Sequence, residues 1–110
     1  MTLNKVNMNV IKTAPGGVVN HLTIFSFTQN GNRVSAVYSG GPIYKGYLVG
    51  TIEGNKLSFS YCQIDIEDSH NSGRSVCDIS FSAEGKLQLT EHFSWNADDL
   101  EQGVNILQEL

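Results

Sequence analysis

The sequence predicts an all-β chain, a single domain spanning residues 1–110, with eight antiparallel strands in up-and-down order closed or nearly closed into a barrel. Three observations carry this. Stretches rich in Val, Ile, Phe, Tyr and Thr recur about every ten residues, separated by clusters of Gly, Asn, Asp and Ser. Hairpin turns, each read on its own, set apolar residues opposite apolar residues on one shared face. That face has no helices to cover it, and a sheet of eight strands with one apolar side must curl on itself to bury it.

In order, the strands are expected at 4–12, 18–29, 32–39, 44–53, 56–66, 74–82, 86–95 and 103–109. Pro15-Gly16-Gly17 marks the loop after the first strand, and residues 69–73 the loop before the sixth. Asn30-Gly31, taken as a two-residue turn, places Phe27 opposite Val34 and Phe25 opposite Ala36. Gly54-Asn55 places Ile52 opposite Leu57, Gly50 opposite Phe59 and Leu48 opposite Tyr61. A three-residue loop Ala83-Glu84-Gly85, with Gly85 left-handed, pairs Phe81 with Leu87 and Ile79 with Leu89. The same face is kept by pairing Tyr38 near Gly46 and Tyr61 near Cys77. The last segment has two readings, because Asp98-Asp99-Leu100-Glu101-Gln102 ahead of it also resembles a helix start.

Composition narrows the function classes. Eleven acidic residues outweigh seven basic ones and the isoelectric point is near 5.1, which argues against a nucleic-acid partner. No apolar run approaches the roughly 20 residues of a membrane span, and the first residues lack a basic and then apolar signal pattern, so no membrane partner and a cytoplasmic location are expected. Cys62 and Cys77 point to opposite faces in this register and are expected as free thiols. His21 in a strand, His70 in a loop and His92 facing outward have no ligand spacing around them, so neither a metal nor another cofactor is expected. Arg74 and Asp65 flank the 69–73 loop and could pair at the rim, where an exposed ion pair contributes about 0–1 kcal/mol.

The register also predicts an unequal interior. The turns at 30–31, 54–55 and 83–85 share one end, next to inward Phe27, Val34, Ile52, Leu57, Phe81 and Leu87, a hydrocarbon plug. The loops at 13–17, 40–43, 68–73 and 96–102 share the other, beside inward Thr23, Tyr38, Gly46, Gln63, Ser75 and Trp95. One level deeper come Tyr61, Cys77, Glu91 and Phe93. Glu91 stands out, because Leu87-x-Leu89-x-Glu91-x-Phe93-x-Trp95 puts a carboxylate on the apolar face of its strand. It is either satisfied internally as a structural residue, by Tyr61, Tyr38 or a backbone amide, or it belongs to a cup whose polar groups orient a small ligand. The candidate ligand-binding residues are Tyr38, Tyr61, Gln63, Cys77, Glu91 and Trp95; no catalytic residue stands out.

The succession Phe25-x-Phe27, Gly31, Val34-x-Ala36-x-Tyr38-Ser39-Gly40-Gly41-x-Ile43, Gly46-x-Leu48-x-Gly50, Leu57-x-Phe59-x-Tyr61, Gly73-x-x-x-Cys77 and Gly85-Lys86-Leu87-x-Leu89-x-Glu91-x-x-x-Trp95 resembles a family of small bacterial β-barrel proteins. Its members often carry the label N-acetylglutamate synthase. The likeness runs from about residue 25 to the C-terminus and departs at 96–102, where similar proteins have a Gly-Asp-x-Ser type of turn. An acetyl-CoA-dependent transferase would need backbone amides gripping a pyrophosphate, usually at a glycine-rich turn entering a helix, and no helix follows any glycine of this chain. Membership therefore transfers and the activity does not.

The leading expectation is a non-enzymatic, small-ligand-binding barrel of the cup type seen in lipocalin-like and streptavidin-like proteins. A second reading is a structural or interaction protein that forms a homodimer, for which outward Leu22, Ile24, Tyr47, Val49, Cys62 and Ile64 supply apolar surface. A third makes Glu91 a general acid or base beside Tyr61 and Cys77.

Overall fold

A computed structural model describes residues 1–14, 18–94 and 102–110. Eight strands run in order: β1 (Asn7–Lys12), β2 (Ile24–Asn30), β3 (Arg33–Gly40), β4 (Ile43–Glu53), β5 (Lys56–Asp65), β6 (His70–Phe81), β7 (Leu87–Ser94) and β8 (Gln102–Glu109). Each pairs antiparallel with its neighbours, and β1 joins β8 through Met8 opposite Glu109 and Val10 opposite Leu107, closing the barrel. The segment after residue 102 is therefore strand, and no described residue is helical.

Alternation decides the interior. Phe25, Phe27, Val34, Ala36, Tyr38, Leu48, Leu57, Phe59, Ile79, Leu87, Leu89 and Leu107 are buried, while the residues between them face water. Each fully buried Leu or Phe contributes roughly 1.5–3 kcal/mol of hydrophobic stabilisation. Leu3 joins this core with no exposed surface, its N–H donating to Gln29 Oε1 at 2.8 Å, so the segment ahead of β1 helps to stop the closed end.

Two hairpins match the expected register. Ile52 faces Leu57 and Gly50 faces Phe59 around Gly54-Asn55, and Phe81 faces Leu87 around a turn in which Ser82 accepts from Gly85 N. Tyr38 also lies opposite Gly46, as expected.

Two others shift. In β2–β3, Phe27 faces Ala36 and Phe25 faces Tyr38, because the turn is Gly31-Asn32 and not Asn30-Gly31. Gly31 takes φ 63° at the first central position, the same Gly-Asn arrangement found at Gly54 (φ 61°). The slip is two residues, so every side chain keeps its face.

In β5–β6, Leu57 faces Cys77 and Tyr61 faces Gly73, a displacement of four residues. The 69–73 stretch is strand, and the loop contracts to residues 66–69. Asp65 explains the contraction: its Oδ1 accepts from Glu67 N and Ser69 N, each at 2.9 Å, and folds the chain back within four residues. Asp65 thus serves its own turn and Arg74 lies opposite Ser60, so the anticipated rim pair between them is not formed.

Other expectations are also corrected. Residues 18–23 form a turn in which Asn20 Oδ1 accepts from Leu22 N, so His21 sits in that turn and not in a strand. His70 opens β6 and is not in a loop. Phe81, expected in the plug, is 59% exposed, since as the last residue of β6 it lies beyond the core that Leu3 and Leu87 close.

Candidate functional site

The closed end is packed with hydrocarbon, and above it the barrel holds a cavity of about 400 Å³. Phe27, Leu57, Leu89 and Leu107 form its floor, and Val18 and Val19, from the β1–β2 connection, stand over its upper part. A volume of this size sits within the range of small-ligand pockets, about 300–1,000 Å³.

Tyr38 (β3), Tyr61 and Gln63 (β5), Cys77 (β6) and Glu91 (β7) all line this one cavity. Five of the six sequence candidates are therefore brought together; the sixth, Trp95, lies outside the described residues, as do the Pro15-Gly16-Gly17 loop and most of the 96–102 loop.

Each group is held by its strand and by a named partner. The Tyr38 hydroxyl donates to Gln63 Oε1 at 2.7 Å, and both side chains are buried. Its ring stacks on Phe25 with centroids 4.4 Å apart, while a Cβ at Gly46 would fall on the ring, so glycine there leaves the space that Tyr38 occupies. Gly73 performs the same service for Tyr61, whose hydroxyl would lie 2.9 Å from a Cβ at that position. Phe59 and Tyr61 add a tilted aromatic pair at 6.2 Å.

Glu91 is partly buried and lies opposite both Cys77 and Asn105. Asn105 Nδ2 donates to Glu91 Oε1 at 3.1 Å, and Asn105 Oδ1 accepts from Ala14 N at 3.0 Å. Asn105 was not among the sequence candidates. Its signal was nevertheless present, because Gly103, Asn105 and Leu107 alternate inward on β8 and an amide at such a position needs partners. Asn71, at the Gln63 level of β6, was missed because the residues around it read as a loop.

One charge acts on several of these groups. Burial is the main cause that pushes the Tyr38 phenol well above its ordinary value, with Tyr61 and then Glu91 adding to it. Burial and then Glu91 raise Tyr61, and burial, Glu91 and Asp78 raise the Cys77 thiol. The interior is therefore a negative environment in which these hydroxyl and thiol protons stay on.

This gives an alkaline prediction. A group whose folded value is raised stabilises the fold below its unfolded value and loses that contribution as pH rises. Stability should thus fall as pH passes the ordinary values of 9.0 for Cys77 and 10.0 for Tyr38, by at most about 1.4 kcal/mol per pH unit per group. Urea midpoints between pH 8 and pH 11 would show it, with a flatter alkaline limb in Cys77→Ala; an unchanged limb counts against the buried thiol as a contributor.

Both cysteines are free, with Cys62 exposed and Cys77 buried. At neutral pH a chromogenic disulfide reagent should consume the Cys62 thiol promptly and Cys77 only in denaturant. Prompt loss of both thiols in the native chain would contradict the buried position of Cys77. His92, outward as expected, contacts Asp78 Oδ2 at 3.1 Å, and no group of three metal-ligating side chains occurs among the described residues.

A family model for Avidin-like proteins matches residues 1–110. The chain belongs to the Avidin-like family. This agrees with the closed eight-stranded antiparallel barrel. No curated protein and no solved structure matches the chain. In this Avidin-like barrel the polar groups of the cavity come from β3, β5, β6, β7 and β8.

Proposed function

We propose that the chain is a non-enzymatic binding protein that takes a small organic molecule into the barrel, with Tyr38, Tyr61, Gln63, Cys77 and Glu91 as contacts. The observation that carries this reading is the cavity of about 400 Å³, apolar below and polar toward its upper wall. Membership in the Avidin-like family supports it, as a small β-barrel family whose fold suits ligand capture. A cavity filled only by water would hold roughly a dozen molecules at about 30 Å³ each, and a ligand that displaces them gains the apolar contact of the floor.

Less supports an enzyme with Glu91 as acid or base beside Tyr61 and Cys77, since burial and then Glu91 disfavour the ionised forms of that phenol and that thiol. The test is a thermal-shift screen with a metabolite panel of mixed charge, confirmed by NMR. A ligand at a hundred times its Kd should stabilise by about 2.7 kcal/mol and raise Tm by roughly 10 °C. A panel without a single hit, with an interior that NMR finds closed to every compound, would sink the reading.

A second reading has its own observation. Val37, Tyr47, Val49 and Val76 are exposed on the outer face of β3–β6, and a groove of about 660 Å³ runs past Val49, Ser58, Ser60, Val76 and His92. Such a surface suits a second copy of the chain. Sedimentation at micromolar concentration decides it, since a clean monomer removes the homodimer.

A further inference from the structure

We propose that the cavity selects a small organic cation, an ammonium or protonated heterocycle on an apolar body, held by Glu91 against the aromatic wall. This rests on the reading that the barrel captures a small molecule and adds which chemistry it prefers.

Charge favours a cation first. Glu91 is an acidic residue lining the cavity, and among the described lining residues the cationic side chain is Arg74. Arg74 is exposed and alternates with buried Ser75, so it faces away from the interior. An anionic ligand would enter beside a carboxylate with no inward counter-charge, whereas a cation supplies one.

The walls favour it second. The rings of Phe25, Tyr38, Phe59 and Tyr61, two of them stacked and two tilted, line the same cavity as Glu91. Aromatic faces attract cations, and do so most where water is excluded. The hydrogen-bond pattern favours it third. The Tyr38 proton is committed to Gln63 Oε1, which leaves its oxygen as an acceptor, and Asn105 Nδ2 already donates to one oxygen of Glu91, which leaves the other for a ligand donor.

The experiment compares three congeners of near-equal size, 2-phenylethylamine, 2-phenylethanol and phenylacetate, by NMR titration at pH 7 on the full chain. The amine should bind at least tenfold more tightly than either congener, with shifts in Tyr38 and Tyr61. Glu91→Gln, which keeps shape, should remove that preference, bringing the amine to the affinity of the alcohol in the same variant, while its NMR spectrum shows the fold intact. Tighter or equal binding of the alcohol or phenylacetate overturns the cation preference and leaves the small-molecule reading standing. If none of the three binds, the panel hits decide: cations weakened by Glu91→Gln support the inference, and neutral or anionic hits overturn it. A panel without hits of any charge takes both readings down together.

Discussion

Gly46→Ala is expected to lower stability by about 3 kcal/mol or more and to remove the ligand capture proposed for the cavity. A Cβ at this position falls on the carbons of the Tyr38 ring, and the ring has no room to withdraw. It is stacked on Phe25 at 4.4 Å and tied through its hydroxyl to Gln63 at 2.7 Å. Expelling it exposes a buried aromatic and leaves the buried Gln63 carbonyl without its donor, which costs about 1–3 kcal/mol by itself. Urea titration would give the loss in stability, and near-UV circular dichroism would report the displaced tyrosine. The cycle with Tyr38→Ala makes the mechanism testable. Once the ring is gone the added methyl has space, so the double variant should be markedly more stable than the sum of the two single losses predicts. Strictly additive losses would mean that the glycine serves something other than Tyr38.

Gly50→Ala should be at least as damaging, for a different reason. Here the added Cβ meets the carbonyl oxygen of Ser58 and the Cα of Phe59, which belong to the backbone of the partner strand. No rotamer change relieves such a contact, so the β4–β5 ladder has to part where Gly50 faces Phe59. Overpacking of this kind costs about 1–3 kcal/mol, and each ladder hydrogen bond disturbed adds about 1 kcal/mol, for a total near 3 kcal/mol or above. Gly54→Ala, at the end of the same strand, is the comparison. Its site is open, and only the left-handed φ of 61° opposes a side chain, a cost of about 1–2 kcal/mol. Equal losses in the two variants would show that backbone approach at Gly50 does not govern packing.

What could be read from the sequence follows from how turns specify strands. The Gly54-Asn55 hairpin and the hairpin after Ser82 were legible because one reading of each turn satisfied the apolar alternation. The β2–β3 hairpin was legible as to face and not as to register, since shifting Asn30-Gly31 to Gly31-Asn32 moves the pairing by two and changes no side chain's orientation. The β5–β6 hairpin misled because Ser-His-Asn-Ser-Gly has the composition of a loop. Its tertiary setting overrides that, with Gly73 lying beneath Tyr61 and Asp65 closing the real turn upstream. Five candidate site residues came through both slips because inward parity, and not exact pairing, put them in the cavity. Asn105 was harder to see, since its role depends on Ala14 and Glu91, 91 and 14 residues away along the chain.

The two chain ends have a practical consequence. Leu3 and Asn4 bond to Gln29 beside the β2–β3 turn, and Glu109 accepts from Leu87 at the start of β7, so both ends emerge at the stoppered base, away from Val18, Val19 and the upper wall of the cavity. A surface linker, a reporter or a fused protein joined at either terminus would sit away from the upper wall of the cavity. Linking the two ends and reopening the chain at Gly54-Asn55 would keep that geometry, which makes the barrel a candidate sensor scaffold that can be anchored by its base.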